Sequence, residues 1–308
     1  MSSHHRASTY SRRDLGLLAV AGLATAPLGG SGTAAAAERI NIMSIDPVRL
    51  GVGTSSFHDL PHRPGVDPAD SVIQAMTECD VRECELCSSV IEPAPFTTPS
   101  APHHTGMPSM KTQMLRRELR KWRVRTPLAH FESIGARFRA AGIRVDAYRY
   151  SPDASFSDEE IDRGFSIAKA LGAEILTTRS SPELAARMAP FADRHRMVVA
   201  FAGKGATTGS SFFRVQADIG QLTADNVDPV SYIRQHHAEI TSVCLTDRRR
   251  NGEAVAWGQG DTPIREVLQM LERERWPIRA YVEYQYRGEG STIDEVRKCL
   301  AYAKQALG

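Results

Sequence analysis

No stripe of lysine or arginine runs along this chain. Its 38 Lys and Arg stand against 36 Asp and Glu, a formal charge of only +2. Phosphate-backbone binding is driven by concentrated positive charge, so nucleic acid is not an expected partner. Cysteine is scarce and odd in number: Cys79, Cys84, Cys87, Cys244 and Cys299. Such a set leaves at least one thiol free and is too sparse for a disulfide-stapled scaffold, even in a compartment that permits disulfides. Cys84 and Cys87 have the spacing of a metal or redox pair. They fall in a predicted strand, however, where residues three apart face opposite sides, and buried thiols are the expected outcome. No Gly-x-Gly-x-x-Gly opens a helix. Gly51-Val52-Gly53 lacks the third glycine, which disfavours a dinucleotide-binding fold.

The chain begins with a leader-like stretch. Ser11-Arg12-Arg13-Asp14-Leu15 runs into an Ala- and Gly-rich apolar segment ending at Leu28. That segment is too short for a comfortable membrane span. Small residues from Thr33 to Ala37 then offer an Ala-x-Ala cleavage site. The order resembles a twin-arginine export signal, which moves folded proteins. Residues 1–37 are therefore expected to be a signal and 38–308 the mature domain, periplasmic or extracellular. Roughly 270 residues then remain, near the ~250 of a typical (β/α)8 barrel.

From Arg49 onward, short apolar runs alternate with helix-like segments. Strands are expected at Leu50 to Ser55, Arg82 to Cys87, Ile143 to Tyr148, Glu174 to Thr178, Met197 to Ala202, Arg214 to Asp218, Ile240 to Leu245 and Ala280 to Glu283. Helix starts are marked by a capping residue followed by proline, as in Asp67-Pro68, Thr126-Pro127, Ser181-Pro182, Asp228-Pro229 and Thr262-Pro263. Two capping boxes begin at Ser157 and Ser291. Alternation without hairpin signals argues a parallel sheet, and eight strands favour closure into a TIM barrel. Two irregularities stand out. The segment Ile91 to Met110, with a helix from Lys111 to Val124, is a long insertion after the second strand, on the face where such barrels carry their sites. Between Ala202 and Phe212 there is too little chain for an ordinary crossover, which takes about a dozen residues or more. The fifth helix is expected to be missing or reduced.

The catalytic groups of such barrels lie where strands end. Those ends supply Glu85, Arg149, Arg179, Lys204, Asp218 with Gln221, Cys244, Asp247 and Glu283 with Gln285. Three carboxylates, Glu85, Asp218 and Glu283, would converge at one mouth. Two carboxylates with waters and substrate oxygens suffice for Mg2+ or Mn2+. Such an ion would stabilise the enediolate formed when a proton leaves the carbon beside a carbonyl. The plainer alternatives are a salt bridge from Asp218 to Lys204 or a strand-seven arginine, and one from Glu85 to Arg149. His236-His237 precedes strand seven, on the stabilising side of the barrel.

Several segments together resemble the sugar phosphate isomerase/epimerase family of xylose isomerase-like barrels: Gly51-Val-Gly-Thr-Ser-Ser, Arg82-Glu-Cys-Glu-Leu, Ala217-Asp-Ile-Gly, Leu245-Thr-Asp-Arg, Trp257-Gly-Gln-Gly-Asp-Thr-Pro and Tyr281-Val-Glu-Tyr. The resemblance runs from about Arg49 to the C-terminus. It implies a sugar isomerase or epimerase using a divalent metal, with Asp218 and Glu283 as metal ligands and Glu85 or Glu283 moving the proton. Lys204, Gln221, Arg149 and Trp257 are the candidate carbohydrate contacts. The chain departs from the pattern at three places. Ala202-Gly203-Lys204 stands where secreted relatives carry His-Gly-His, Gln221 where they carry histidine, and Cys244 where a strand-seven histidine is usual. Hard oxygen ligands alone hold transition metals weakly. A non-catalytic barrel that binds a carbohydrate or a partner is therefore the second reading, with no metal at all. Endonuclease-like phosphate cleavage would want many more ligands and a basic face. The expected partner is a small carbohydrate, in a monomer or a homo-oligomer.

Overall fold

The computed structural model describes residues 48–61, 65–93, 110–203 and 209–308. The leader and Lys204 lie outside them. The parallel strands close a barrel in chain order: β1 (Arg49–Gly53), β2 (Glu83–Cys87), β3 (Arg144–Arg149), β4 (Ile175–Thr178), β5 (Val198–Ala202), β6 (Phe213–Asp218), β7 (Ile240–Leu245) and β8 (Arg279–Val282). β1 pairs with β8 to complete the closure. The helices are α1 (Pro68–Glu78), α2 (Ser88–Ile91), α3 (Met110–Arg125), α4 (Leu128–Ala140), α5 (Asp158–Leu171), α6 (Pro182–His195), α7 (Ile219–Ala224), α8 (Pro229–His236), α9 (Ile264–Glu274) and α10 (Thr292–Leu307). The expected capping chemistry is present in part: Ser181 makes no side-chain cap bond, and Ser291 accepts the Asp294 N–H without the reciprocal half of a capping box. The Asp67 side chain accepts the Ala69 N–H, and Ser157 and Glu160 satisfy each other's backbone at the start of α5. After Thr126 and Thr262 the proline itself is the N-cap, so α4 and α9 begin one residue later than the motif suggests. β5 passes to β6 through residues 203–212, and the described part of that link contains no helix. Residues 204–208 of the link, where a reduced fifth helix is expected, lie outside the described residues. All five cysteines are free and buried.

The apolar core has two layers. The larger lies between strands and helices. The smaller fills the barrel with Ala147, Ile175, Ala200 and Tyr281. Two glycines on the inward face of β1 make room for this filling. A Cβ on Gly51 would meet the Glu83 carbonyl oxygen at 2.8 Å and the Tyr281 ring at 3.1 Å; one on Gly53 would meet Glu283 Cγ at 3.2 Å.

One irregularity in the sheet decides what faces inward. Cys84 is level with Val145, but Glu85 is level with Ala147, so Asp146 is an extra residue in β3. A bulge of this kind re-aims the side chains that follow it. Ala147 joins the inner cluster, Tyr148 turns outward onto Tyr150, and Arg149 follows Ala147 inward. Asp146 itself is buried at the N-terminal end of the strands. Its Oδ1 is 2.9 Å from Arg49 Nη2 and 2.8 Å from Arg144 Nε, with Arg279 Nε at 3.8 Å. Burial, and then the neighbouring Glu83, push its carboxyl up to about 7 against the pull of Arg49 and Arg144.

A carboxyl raised in the folded state holds a proton that the unfolded chain has released. Its stabilising contribution is full below about pH 4 and lost as pH rises through about 7. The stability advantage of wild type over Asp146→Asn should therefore shrink from about pH 5 to about pH 8. Thermal unfolding of the two proteins across that range checks this; an advantage that stays flat or grows contradicts it.

Candidate functional site

Four strands bring polar side chains to one point inside the C-terminal mouth. Alternation along β2 turns Glu85 inward, the bulge does the same for Arg149 on β3, and Gln216 and Cys244 come from β6 and β7. Glu283 follows the last residue of β8. Glu85 and Glu283 are 0% and 1% exposed. The guanidinium of Arg149 lies between them: Nη2 contacts Glu85 Oε2 and Glu283 Oε1 together, while Nη1 donates to Ser55 Oγ at 3.2 Å. The remaining carboxylate oxygens are engaged as well. Gln216 Nε2 donates to Glu85 Oε1 at 2.7 Å. Gln285 Nε2 donates to Glu283 Oε2, and Gln285 Oε1 accepts from Arg248 Nη2 at 2.8 Å. The Cys244 thiol donates to Glu283 Oε1 at 3.6 Å. Burial alone would pull Arg149 toward its neutral form, but Glu85 and Glu283 outweigh it and hold the guanidinium well above its ordinary value. Burial likewise works against the Glu283 carboxylate. Arg149, Arg179 and the Gln285 hydrogen bond overcome it and keep the group below its usual range. Cys244 is pushed up by burial and by both carboxylates, so it stands as a thiol.

Above this floor opens a cleft of about 650 Å³, within the size range of small-molecule sites. Its walls include Ser55, His58, Ser151, Arg179, Tyr284 and Gln285. His58 stacks on Tyr284 with ring centroids 5.6 Å apart. The exposed guanidinium of Arg179 reaches Glu283 only at 3.9 Å, and its backbone is fixed by Ser151. A smaller cavity of about 300 Å³ lies between α1 and the start of α10, lined by Leu60, Val66, Ala75 and Ile293 among others. Its lining carries the carboxylates Asp59, Asp70 and Glu78 but no Lys or Arg.

The other candidates do not line this cleft. Asp218 is the N-cap of α7, a short helix without a sequence signal of its own. Its Oδ1 accepts the Gln221 N–H at 3.0 Å and the Thr246 hydroxyl at 3.1 Å. The Gln221 side chain is exposed and donates along α7 to Asp225 at 2.8 Å. Trp257 packs edge-on against Tyr302 of α10 at 5.9 Å and does not line the cleft. Asp247 accounts for the glycine-rich motif around Trp257. Its carboxylate accepts the N–H groups of Gly258, Gly260 and Thr262 at 2.7, 3.1 and 3.3 Å, so the segment is a loop wrapped on a buried anion. His237 stacks on Trp276 at 4.3 Å, away from the mouth. Gln216 and Ser151 were not singled out from sequence. Two-residue alternation back along β6 from Asp218 reaches Gln216, and Ser151 lies just past the end of β3.

A divalent ion needs carboxylate oxygens free to converge on it. Here the space shared by Glu85 and Glu283 holds a guanidinium, and Asp218 faces Thr246 and the first turn of α7. Among the described residues no three His, Cys, Asp or Glu side chains are grouped as a metal site. The donor set does not fit a metal held by Asp218 and Glu283.

No protein-family model and no curated protein matches this sequence. Solved structures do. A sugar phosphate isomerase/epimerase from Parabacteroides distasonis ATCC 8503 superposes with a TM-score of 0.55 at 13% identity, covering 84% of this chain and 94% of its own. A xylose isomerase domain protein from Planctomyces limnophilus gives 0.55 at 11% identity, covering 84% and 96%. The 3-keto-D-glucoside 4-epimerase from E. coli, in its apo form, gives 0.55 at 11% identity, covering 84% and 99%. At such identities the likeness concerns the fold. The chain is a xylose isomerase-like (β/α)8 barrel, and its structural neighbours include sugar phosphate isomerase/epimerase proteins.

Proposed function

We propose that the cleft at the barrel mouth binds a small carbohydrate and that the chain acts as a binding barrel rather than a metal-dependent isomerase. The observation that carries this reading is the state of the two candidate acid–base groups. A general base must come within hydrogen-bond reach of the proton it takes. Glu85 and Glu283 are buried, bridged by Arg149 and held by amide donors. The cleft above them offers hydroxyls, an amide, an imidazole and the Arg179 guanidinium beside an aromatic ring, groups suited to sugar hydroxyls. The names of the fold neighbours, an epimerase of a keto-glucoside among them, support a carbohydrate ligand.

One observation favours a catalytic second reading. Arg149 and Arg179 both lie against Glu283, and fixed positive charge stabilises an enediolate as it develops. Proton transfer beside a carbonyl would then proceed on guanidinium electrostatics. The Mn2+ or Mg2+ site on Asp218 and Glu283 that the sequence resemblance implies would have no part in it.

A panel of aldoses, ketoses and their acid and phosphate derivatives, titrated calorimetrically, tests the main proposal. Binding of at least one sugar is expected, weakened about tenfold or more in Arg179→Ala through loss of a charge-assisted hydrogen bond. No heat from any sugar, or equal affinity in wild type and Arg179→Ala, sinks it. Bound sugars should show no solvent deuterium at the carbon beside the carbonyl, and incorporation there would move the assignment to the catalytic reading.

Export through residues 1–37 belongs to the same proposal. A barrel without disulfides can complete its folding before transport, as the twin-arginine route requires. Among the described residues no helix is long and apolar enough to cross a membrane. Replacing Arg12 and Arg13 together by lysine should leave the protein uncleaved in the cytoplasmic fraction; unchanged export of that variant contradicts the assignment.

A further inference from the structure

We infer that the Arg149 guanidinium is a built-in cation: it fills the position between Glu85 and Glu283, so that no divalent ion binds there until that side chain is removed. The inference concerns the floor of the cleft alone and stands whatever sugar binds above it. One nitrogen, Nη2, touches an oxygen of each carboxylate, so both oxygens are already aimed at a single point. Their partner oxygens are held by Gln216 and Gln285, which restrains either carboxylate from turning away. Both groups are buried, and two uncompensated negative charges in such a place demand a cation. Arginine meets that demand permanently, because its guanidinium stays charged under all ordinary conditions and its planar fork matches carboxylate geometry.

Arg149→Ala would change the site in a defined way. The two carboxylate oxygens and Ser55 Oγ would face a space at the base of an open cleft, within reach of water. Two carboxylates completed by hydroxyl and water oxygens form a donor set for Mg2+ or Mn2+. Asp218, committed to the cap of α7 and to Thr246, takes no part.

The test is calorimetric titration of the full chain with Mn2+, alongside thermal unfolding with and without the ion. Wild type should take up no Mn2+ at millimolar concentration, and its Tm should not move. Arg149→Ala should unfold at a lower temperature, bind about one equivalent of Mn2+ and recover part of its Tm as the ion is added. The double variant Arg149→Ala/Glu283→Gln should lose that uptake. Stoichiometric binding by wild type overturns the inference, as does a folded Arg149→Ala that binds none. If Arg149→Ala is recovered unfolded, refolding with and without Mn2+ reads the same property. Folded protein only in the presence of the ion supports the inference, and none in either condition overturns it.

Discussion

A positive charge buried between two negative ones is the constraint on which the mouth of this barrel depends. Glu85 comes from β2, Arg149 from β3 and Glu283 from the end of β8, and the Arg149 to Glu283 contact spans 134 residues of sequence. Taking such groups out of water is expensive, and mutual attraction offsets the cost only when geometry and additional hydrogen bonds are good. Here most of them are supplied, although among the described residues Arg149 Nε has no hydrogen-bond partner and Glu85 Oε2 has only its ion-pair contact with Arg149. Gln216 serves Glu85, Gln285 and Cys244 serve Glu283, Ser55 serves Arg149, and Arg248 fixes Gln285 from behind. The arrangement ties both carboxylates of the cleft floor into ion pairs and hydrogen bonds.

The rest of the fold prepares this arrangement. The bulge at Asp146 decides that Arg149, rather than Tyr148, faces the barrel interior. Asp146 is in turn anchored by Arg49, Arg144 and Arg279 at the opposite end of the strands. Glycines at 51 and 53 clear the space that Tyr281 and Glu283 occupy. A charged ring at the bottom, an apolar filling of small residues with Tyr281 in the middle, and the charged triad at the top therefore stand as successive layers of one barrel.

Much of the fold was legible because its signals are local. Cap-and-proline pairs, capping boxes and short apolar runs placed the strands to within a few residues. The brief stretch between Ala202 and Phe212 limits the β5–β6 crossover by chain length alone. The site was legible only in part. Alternation and strand ends nominated Glu85, Arg149, Arg179, Glu283 and Gln285, all of which meet at the mouth, and a Glu85–Arg149 pair was among the alternatives. What sequence could not supply was register. A one-residue bulge in β3 has no motif of its own, yet it sets which way Arg149 points. Asp218 shows the opposite failure: a carboxylate at a strand end reads the same whether it ligates a metal or caps the next helix, and only the donors around it tell the two apart. The conspicuous glycine-rich motif after Trp257 is explained by Asp247, whose buried carboxylate the loop encloses.

The central claim is that the three charges are energetically one unit. Its most direct test is urea unfolding of wild type, Arg149→Met and the triple variant Glu85→Gln/Arg149→Met/Glu283→Gln. Removing the guanidinium alone strands two buried carboxylates and should cost about 3–5 kcal/mol, most of which the triple variant should recover because its site is neutral throughout. A triple variant destabilised by as much as Arg149→Met or more would contradict the account, since the three side chains would then act independently.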